Sequence, residues 1–220
     1  MTEGIYNKIL NNLDSYEAYK EEIDMKNGLN NVIKWADNNN IPESIVPRDL
    51  YKLQKVETLV LDKLNIKELP NDIEKLINLT ELSIKDCDLR TLPSSICKLT
   101  KLKYLNLMYN YHLNNLPECI SNLKNLEKLT IDETNIIKLP ESFGNLKKLI
   151  FLGISNLKLK YVPSNIKQLN DKLIIRLKIP NNRTETYIGK NEWVHLMLKE
   201  NKKDKIKSFF FYKMGIKLYI

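Results

Sequence analysis

Apolar residues return at a fixed spacing through the middle of this chain, and that periodicity limits its fold more than any other feature. Counting Leu79 as position 1 of the stretch Leu79–Lys101, apolar side chains stand at positions 1, 4, 6, 11, 14, 18 and 21: Leu79, Leu82, Ile84, Leu89, Leu92, Ile96 and Leu99. Pro93 follows position 14. The preceding stretch, Val56–Asn78, fills the same places with Val56, Leu59, Leu61, Ile66, Leu69, Ile73 and Leu76, with Pro70 after Leu69. Leu102–Asn125 repeats the pattern with one extra residue near His112, Leu126–Lys148 and Leu149–Asp171 return to 23 residues, and a half unit, Leu173–Pro180, closes the series. Five full copies at such a period predict a solenoid, in which each unit buries its apolar face only against its neighbours.

Within a unit, positions 3 to 7 alternate apolar and polar, which is the signal of a strand. Positions 4 and 6 point into the core, and positions 3, 5 and 7 point the other way. The second half, with apolar spacing of three to four and a proline near its start, predicts a turn followed by a short helix or 3₁₀ segment on the opposite side. Burying seven apolar side chains per unit, at about 1.5–3 kcal/mol each, is then the dominant stabilising contribution.

The pattern LxxLxLxx(N/C)xLxxLPxxIxxLxx resembles that of the leucine-rich repeat family, and within it the LPxxI-containing subtype of about 23 residues met in bacterial and plant-like intracellular proteins. The resemblance covers Val56 to about Pro180. It implies an α/β fold: a curved right-handed horseshoe with a parallel sheet on its concave face. It also implies a binding scaffold. Position 9, where the family places Asn or Cys to satisfy the turn leaving the strand, holds Leu64, Cys87, Asn110, Thr134 and Leu157. Some bacterial effectors of similar repeat type add a ubiquitin-ligase domain with a catalytic Cys. Here only 40 residues follow the repeats and none is Cys, so that activity is not carried over.

The ends of an array need polar-faced caps. Residues 1–55 are read as a helical N-terminal cap, with one helix from Glu3 to about Ile23 (apolar Ile5, Ile9, Leu13, Tyr16, Tyr19) and a second from Gly28 to Asp37 (Leu29, Val32, Ile33, and Trp35 or Ala36). A separate partner-binding module is the rival reading of this segment. The repeats then occupy 56–180, five full and one partial. In 181–220, a capping helix is expected over Glu192–Glu200, and the basic, aromatic end, SFFFYKMGIKLYI, is either a C-terminal cap or a membrane- or partner-binding tail.

Net charge is +8, with −2 in residues 1–55, +5 in 56–180 and +5 in 181–220. The sign alone picks no partner. The start of the chain has neither the basic opening nor the apolar run of a secretory signal, and no apolar run is long enough to span a bilayer. Cytoplasmic residence is the expectation, with secretion by a route lacking a signal left open. Three cysteines, Cys87, Cys97 and Cys119, stand at dissimilar repeat positions, which argues against a disulfide framework and for a reducing compartment.

A repeat scaffold carries function on its outward strand positions. Aromatic residues there, Tyr104, Tyr109 and Phe151 with Met108, lie beside Glu81, Lys85, Asn106, Lys128 and Asp132. Rings rimmed by charge suit a protein interface, because they supply large contact area at little entropic cost. The opposing reading is that scattered exposed apolar residues are ordinary. Only two histidines occur, His112 and His195, without metal-ligand or Cys partners at a recognisable spacing, and six glycines form no phosphate-binding loop. No cofactor, metal or catalytic residue is expected. A monomeric, non-enzymatic scaffold for a protein partner is the first expectation. The second is a peripheral-membrane or effector-type protein that docks through its basic tail and recruits a target on the repeats. Nucleic acid is not expected, because three consecutive Phe residues suit burial better than base stacking.

Overall fold

The structure is a computed structural model and describes residues 2–155, 159, 162–178 and 185–192. Strands β1 (Thr58–Val60), β2 (Glu81–Ser83), β3 (Tyr104–Asn106), β4 (Lys128–Thr130), β5 (Phe151–Gly153) and β6 (Ile174–Lys178) form a parallel sheet in chain order, joined at its far side by β7 (Glu185–Gly189), which is antiparallel to β6. Opposite the sheet lie short 3₁₀ segments, η1 (Asn71–Lys75), η2 (Ser94–Lys98), η3 (Glu118–Asn122), η4 (Phe143–Asn145) and η5 (Ser164–Gln168). This is the solenoid that the spacing predicts.

The register follows the apolar code. Leu59, Leu82, Leu105, Leu129, Leu152 and Ile175 are partners across successive strands, and each is buried. Position 6 adds a second buried row, Leu61, Ile84, Leu107, Ile131 and Ile154. Four of the five 3₁₀ segments start directly after a proline, whose fixed φ suits the first turn and whose missing N–H is not needed there. Stacked coils run their main-chain hydrogen bonds from strand to strand, so only the turns need side-chain help. Buried Asn110 supplies it in the middle: its amide donates to the carbonyls of Ile84 (2.6 Å) and Leu107 (2.9 Å), and its Oδ1 accepts from Leu89 N (3.0 Å). Thr134 donates to Ile131 O at 2.8 Å, and Cys87 lies 3.2 Å from Leu61 O. Leu64 packs its side chain against the core instead, and Leu157 lies outside the described residues.

The N-terminal segment departs from expectation. One helix, α1, runs unbroken from Thr2 to Asn38, where the sequence suggests two, Glu3 to about Ile23 and Gly28 to Asp37. Gly28 is a packing residue, not a break: a Cβ there would sit 2.4 Å from Lys75 Cγ, so its absence lets the helix close on η1. Leu29, Val32, Trp35 and Ala36 are buried against the first coil, and Trp35 Nε1 donates to Glu68 O at 3.1 Å. Asn40, left-handed at φ 53°, ends the helix, and Ile41 N returns to Ala36 O at 2.9 Å. Helix α2 (Leu50–Gln54) is capped by Asp49, which accepts from Lys52 N, and leads into β1.

Two further departures concern the end of the sheet and the side opposite it. Strand β7, with Ile188 buried and Tyr187 exposed, covers the edge of β6, so the sheet does not end in an open parallel strand. The expected helix over Glu192–Glu200 and the final basic segment lie outside the described residues, apart from Glu192. Cys97 and Cys119 are joined as a disulfide, with Cα atoms 5.8 Å apart. Their positions differ, but Cys97 follows Ile96 and Cys119 precedes Ile120, which hold the same place in adjacent units, so the two thiols meet diagonally between η2 and η3. The pairing overturns the reading against disulfides, and the ground for expecting a reducing compartment falls with it.

Candidate protein-interaction surface

The outward strand positions form three columns on the concave sheet face. The middle of column 5 is a hydrogen-bonded line that ends on Asp62 of column 7. Thr130 Oγ1 donates to Asn106 Oδ1 (2.7 Å), Asn106 Nδ2 to Ser83 Oγ (3.0 Å), and Ser83 Oγ to Asp62 Oδ1 (2.6 Å). Asp62 Oδ1 also accepts Lys85 N at 2.8 Å. The same device recurs three coils on, where buried Asp132 accepts Ser155 N at 2.7 Å through Oδ1. The equivalent of the Ser83 hydroxyl is missing there, because that place belongs to Gly153. Arg176 fills the gap from the next coil, reaching over Gly153 so that its Nη2 lies 2.8 Å from Asp132 Oδ2 and 3.4 Å from Met108 Sδ.

Column 3 and the strand exits carry the rings. Lys128 Nζ stands 5.0 Å from the Tyr104 ring centroid, the Arg176 guanidinium 5.5 Å from Phe151, and Lys85 Nζ 5.7 Å from Tyr109. Each such pair is worth about 0.5–1 kcal/mol at an exposed site and fixes where the ring points. A shallow concavity of about 420 Å³ opens over β2–β4, and five of the nine expected contact residues line it: Glu81, Tyr104, Asn106, Met108 and Lys128.

The other four stand apart from that concavity. Tyr109 occupies position 8, which is left-handed in four successive units (Lys63, Asp86, Tyr109 and Glu133, φ 57–61°), so it sits at the turn on the rim, its ring 6.5 Å from Tyr111. Lys85 faces that ring, and Phe151 lies under Arg176. Asp132, expected as a contact, is 2% exposed, and both its oxygens are engaged, one by Ser155 N and the other by Arg176. Sequence reasoning missed Arg176 itself, although a long cation in the same column as a glycine is the signal that would have found it.

Among the described residues, no group of three or more His, Cys, Asp or Glu side chains is placed to hold a metal ion. His112 is exposed at the extra-residue turn, 3.5 Å from an Asp88 oxygen. The one free cysteine, Cys87, is half-buried, and burial raises its thiol pKa above the ordinary range, which makes it a poor nucleophile. No helix of the described residues is long and apolar enough to cross a membrane.

The profile of the leucine-rich repeat region family matches residues 32–131 and 94–175, together more than half of the chain. The chain belongs to the leucine-rich repeat family. Among solved structures it is similar to the leucine-rich repeat domain of the type III effector XopL, at 30% identity and a TM-score of 0.55, over 63% of this chain and 49% of that one. It thus spans about half of that domain's length. A fold likeness extends to the PEPR1-AtPEP1 crystal structure, at 23% identity and a TM-score of 0.53, covering 61% of this chain and 19% of that one. No curated protein matches by sequence. Domains of this leucine-rich repeat type generally mediate protein–protein interaction.

Proposed function

We propose that this leucine-rich repeat protein is a non-enzymatic interaction module that grips a protein partner on its concave sheet face. The observation that carries the reading is the contrast between floor and furniture. The floor groups, Asp62, Ser83, Asn106 and Thr130, are hydrogen-bonded to one another, while Tyr104 and Phe151 on the sheet and Tyr109 at its rim are each held by a cation. Rings fixed before binding lose little freedom on binding, and that lowers the entropic cost of an interface. Glu81, Lys128, Met108 and Asn106 complete a mixed surface of the kind that surrounds aromatic anchors.

The test is affinity capture from the native cell with the wild-type chain and with Tyr104→Ala plus Phe151→Ala. Both rings are only half-buried, so the variant keeps its fold, checked by circular dichroism. Loss of a partner from the variant supports the reading. Equal recovery of every partner rejects this surface.

A further inference from the structure

Helix α1 carries a second exposed apolar surface that the repeats do not cover. Traced back toward its N-terminus, the helix meets Glu68 through Trp35, Asp72 through Asn31 (3.1 Å), and Lys75 through Gly28 and Asp24. Its contacts therefore follow the coil to the end of η1, and the helix then runs off that edge. Beyond it, Leu13, Tyr16, Tyr19 and Ile23 are 53, 55, 61 and 40% exposed, at spacings that place them on one stripe. The stripe is acidic: residues 13–24 hold Asp14, Glu17, Glu21, Glu22 and Asp24 against Lys20, and although Glu17 pairs with Lys20 (3.1 Å), Glu22 with Lys26 (2.9 Å) and Asp24 with Lys75, the five carboxylates outnumber these three cations. Apolar side chains left in a row at the surface mark a binding site, and their acidic flanks select a basic occupant.

The same chain contains one. Residues 193–220 hold seven lysines against Glu200 and Asp204, with Phe209, Phe210, Phe211 and Tyr212 in their midst. The described chain ends beside η5, where Lys190 N donates to Leu173 O (3.1 Å) and Lys190 Nζ to Leu169 O (3.0 Å). That is the same edge of the solenoid as the end of η1, four coils away, or about 20 Å at a strand spacing of about 4.8 Å. A chain of 28 residues spans up to about 90 Å. We infer that the acidic apolar stripe of α1 (13–24) is the docking site of this chain's own basic, aromatic C-terminal segment (193–220), which clasps the two ends of the solenoid together.

The experiment is zero-length carbodiimide coupling of carboxylates to amines in the full chain, as an equal mixture of ¹⁴N- and ¹⁵N-labelled protein, read by mass spectrometry. The clasp gives links from Glu17, Glu21 or Asp24 to lysines between Lys202 and Lys213, within single-isotope species. Tyr16→Asp with Tyr19→Asp, which alters only exposed side chains, lowers their yield about tenfold, as loss of two interface anchors does. Phe210→Asp with Phe211→Asp, which leaves every coupling lysine in place, lowers it independently. Absence of such links, links confined to mixed-isotope pairs, which would mean a second copy on the stripe, or a yield that neither variant changes would overturn the inference.

Discussion

Gly153→Ala isolates the device at the heart of the concave face. Ordinarily this change in a strand stabilises by about 0.5–1 kcal/mol, because the unfolded chain loses freedom. Here an added Cβ would stand 2.2 Å from Asp132 Oδ2 and 3.0 Å from both Arg176 Nη2 and Thr130 Cγ2. The nearest of these belongs to a carboxylate that is 2% exposed and tied to Ser155 N, so it has no room to yield. Overpacking costs about 1–3 kcal/mol. Parting a fully buried ion pair costs about 3–5 kcal/mol, and Arg176, with 17% of its side chain exposed, regains part of that from water. Net of the chain-entropy gain and of what Arg176 regains from water, we expect a loss of at least about 2 kcal/mol, or at least about 4–8 °C in Tm for a chain of this size. Urea unfolding followed by circular dichroism measures it as a lower midpoint at unchanged slope. In an Asp132→Asn, Arg176→Gln background the loss shrinks, because the pair is already gone. A Gly153→Ala chain as stable as the wild type, or more stable, would refute the assignment of Gly153 as the passage for Arg176.

Other expectations follow from the same packing. Leu82→Asp or Leu129→Asp places an unpaired charge in a fully buried row and abolishes cooperative unfolding of the repeats; an unchanged melt would reject the register. Asn110→Ala leaves Leu89 N and the Ile84 and Leu107 carbonyls unsatisfied and costs about 2–4 kcal/mol in urea unfolding. Unfolded without reductant, the chain exposes one thiol to Ellman's reagent, and three after reduction; reducing Cys97–Cys119, separated by 22 residues, costs about 3 kcal/mol, and Cys97→Ser with Cys119→Ser makes stability insensitive to reductant. Cys87, whose thiol pKa is raised by burial, is alkylated more slowly in the native chain than in the unfolded one at pH 8, and the ratio narrows as pH rises.

How much of this was legible in the sequence depended on distance along the chain. The strands and 3₁₀ segments were readable because each unit states its own apolar code, and a one-residue slip would turn Leu82 and its row outward. The columns of the concave face followed from the same alternation. Their depth did not: Asp132 is buried by an arginine 44 residues away, across a glycine in the strand between. The Cys97–Cys119 pairing was hidden for a related reason, since position numbers compare residues along a unit and not diagonally between coils. The gap read between Ile23 and Gly28 closes into one helix, and Gly28 serves the close approach to Lys75 instead of starting a new element. Strand β7 follows the last repeat and so carries no period; its one signal is the short β-prone run Thr186-Tyr187-Ile188.

Site-specific photocrosslinking tests the proposed binding face most directly. A benzoyl-phenylalanine replaces Lys128, exposed beside Tyr104, in one chain and Lys98, exposed on the opposite 3₁₀ side, in another. Irradiated in the native cell, the first is expected to give a discrete adduct with a partner protein and the second none. An adduct from position 98 alone, or equal adducts from both, would contradict recognition by the concave face.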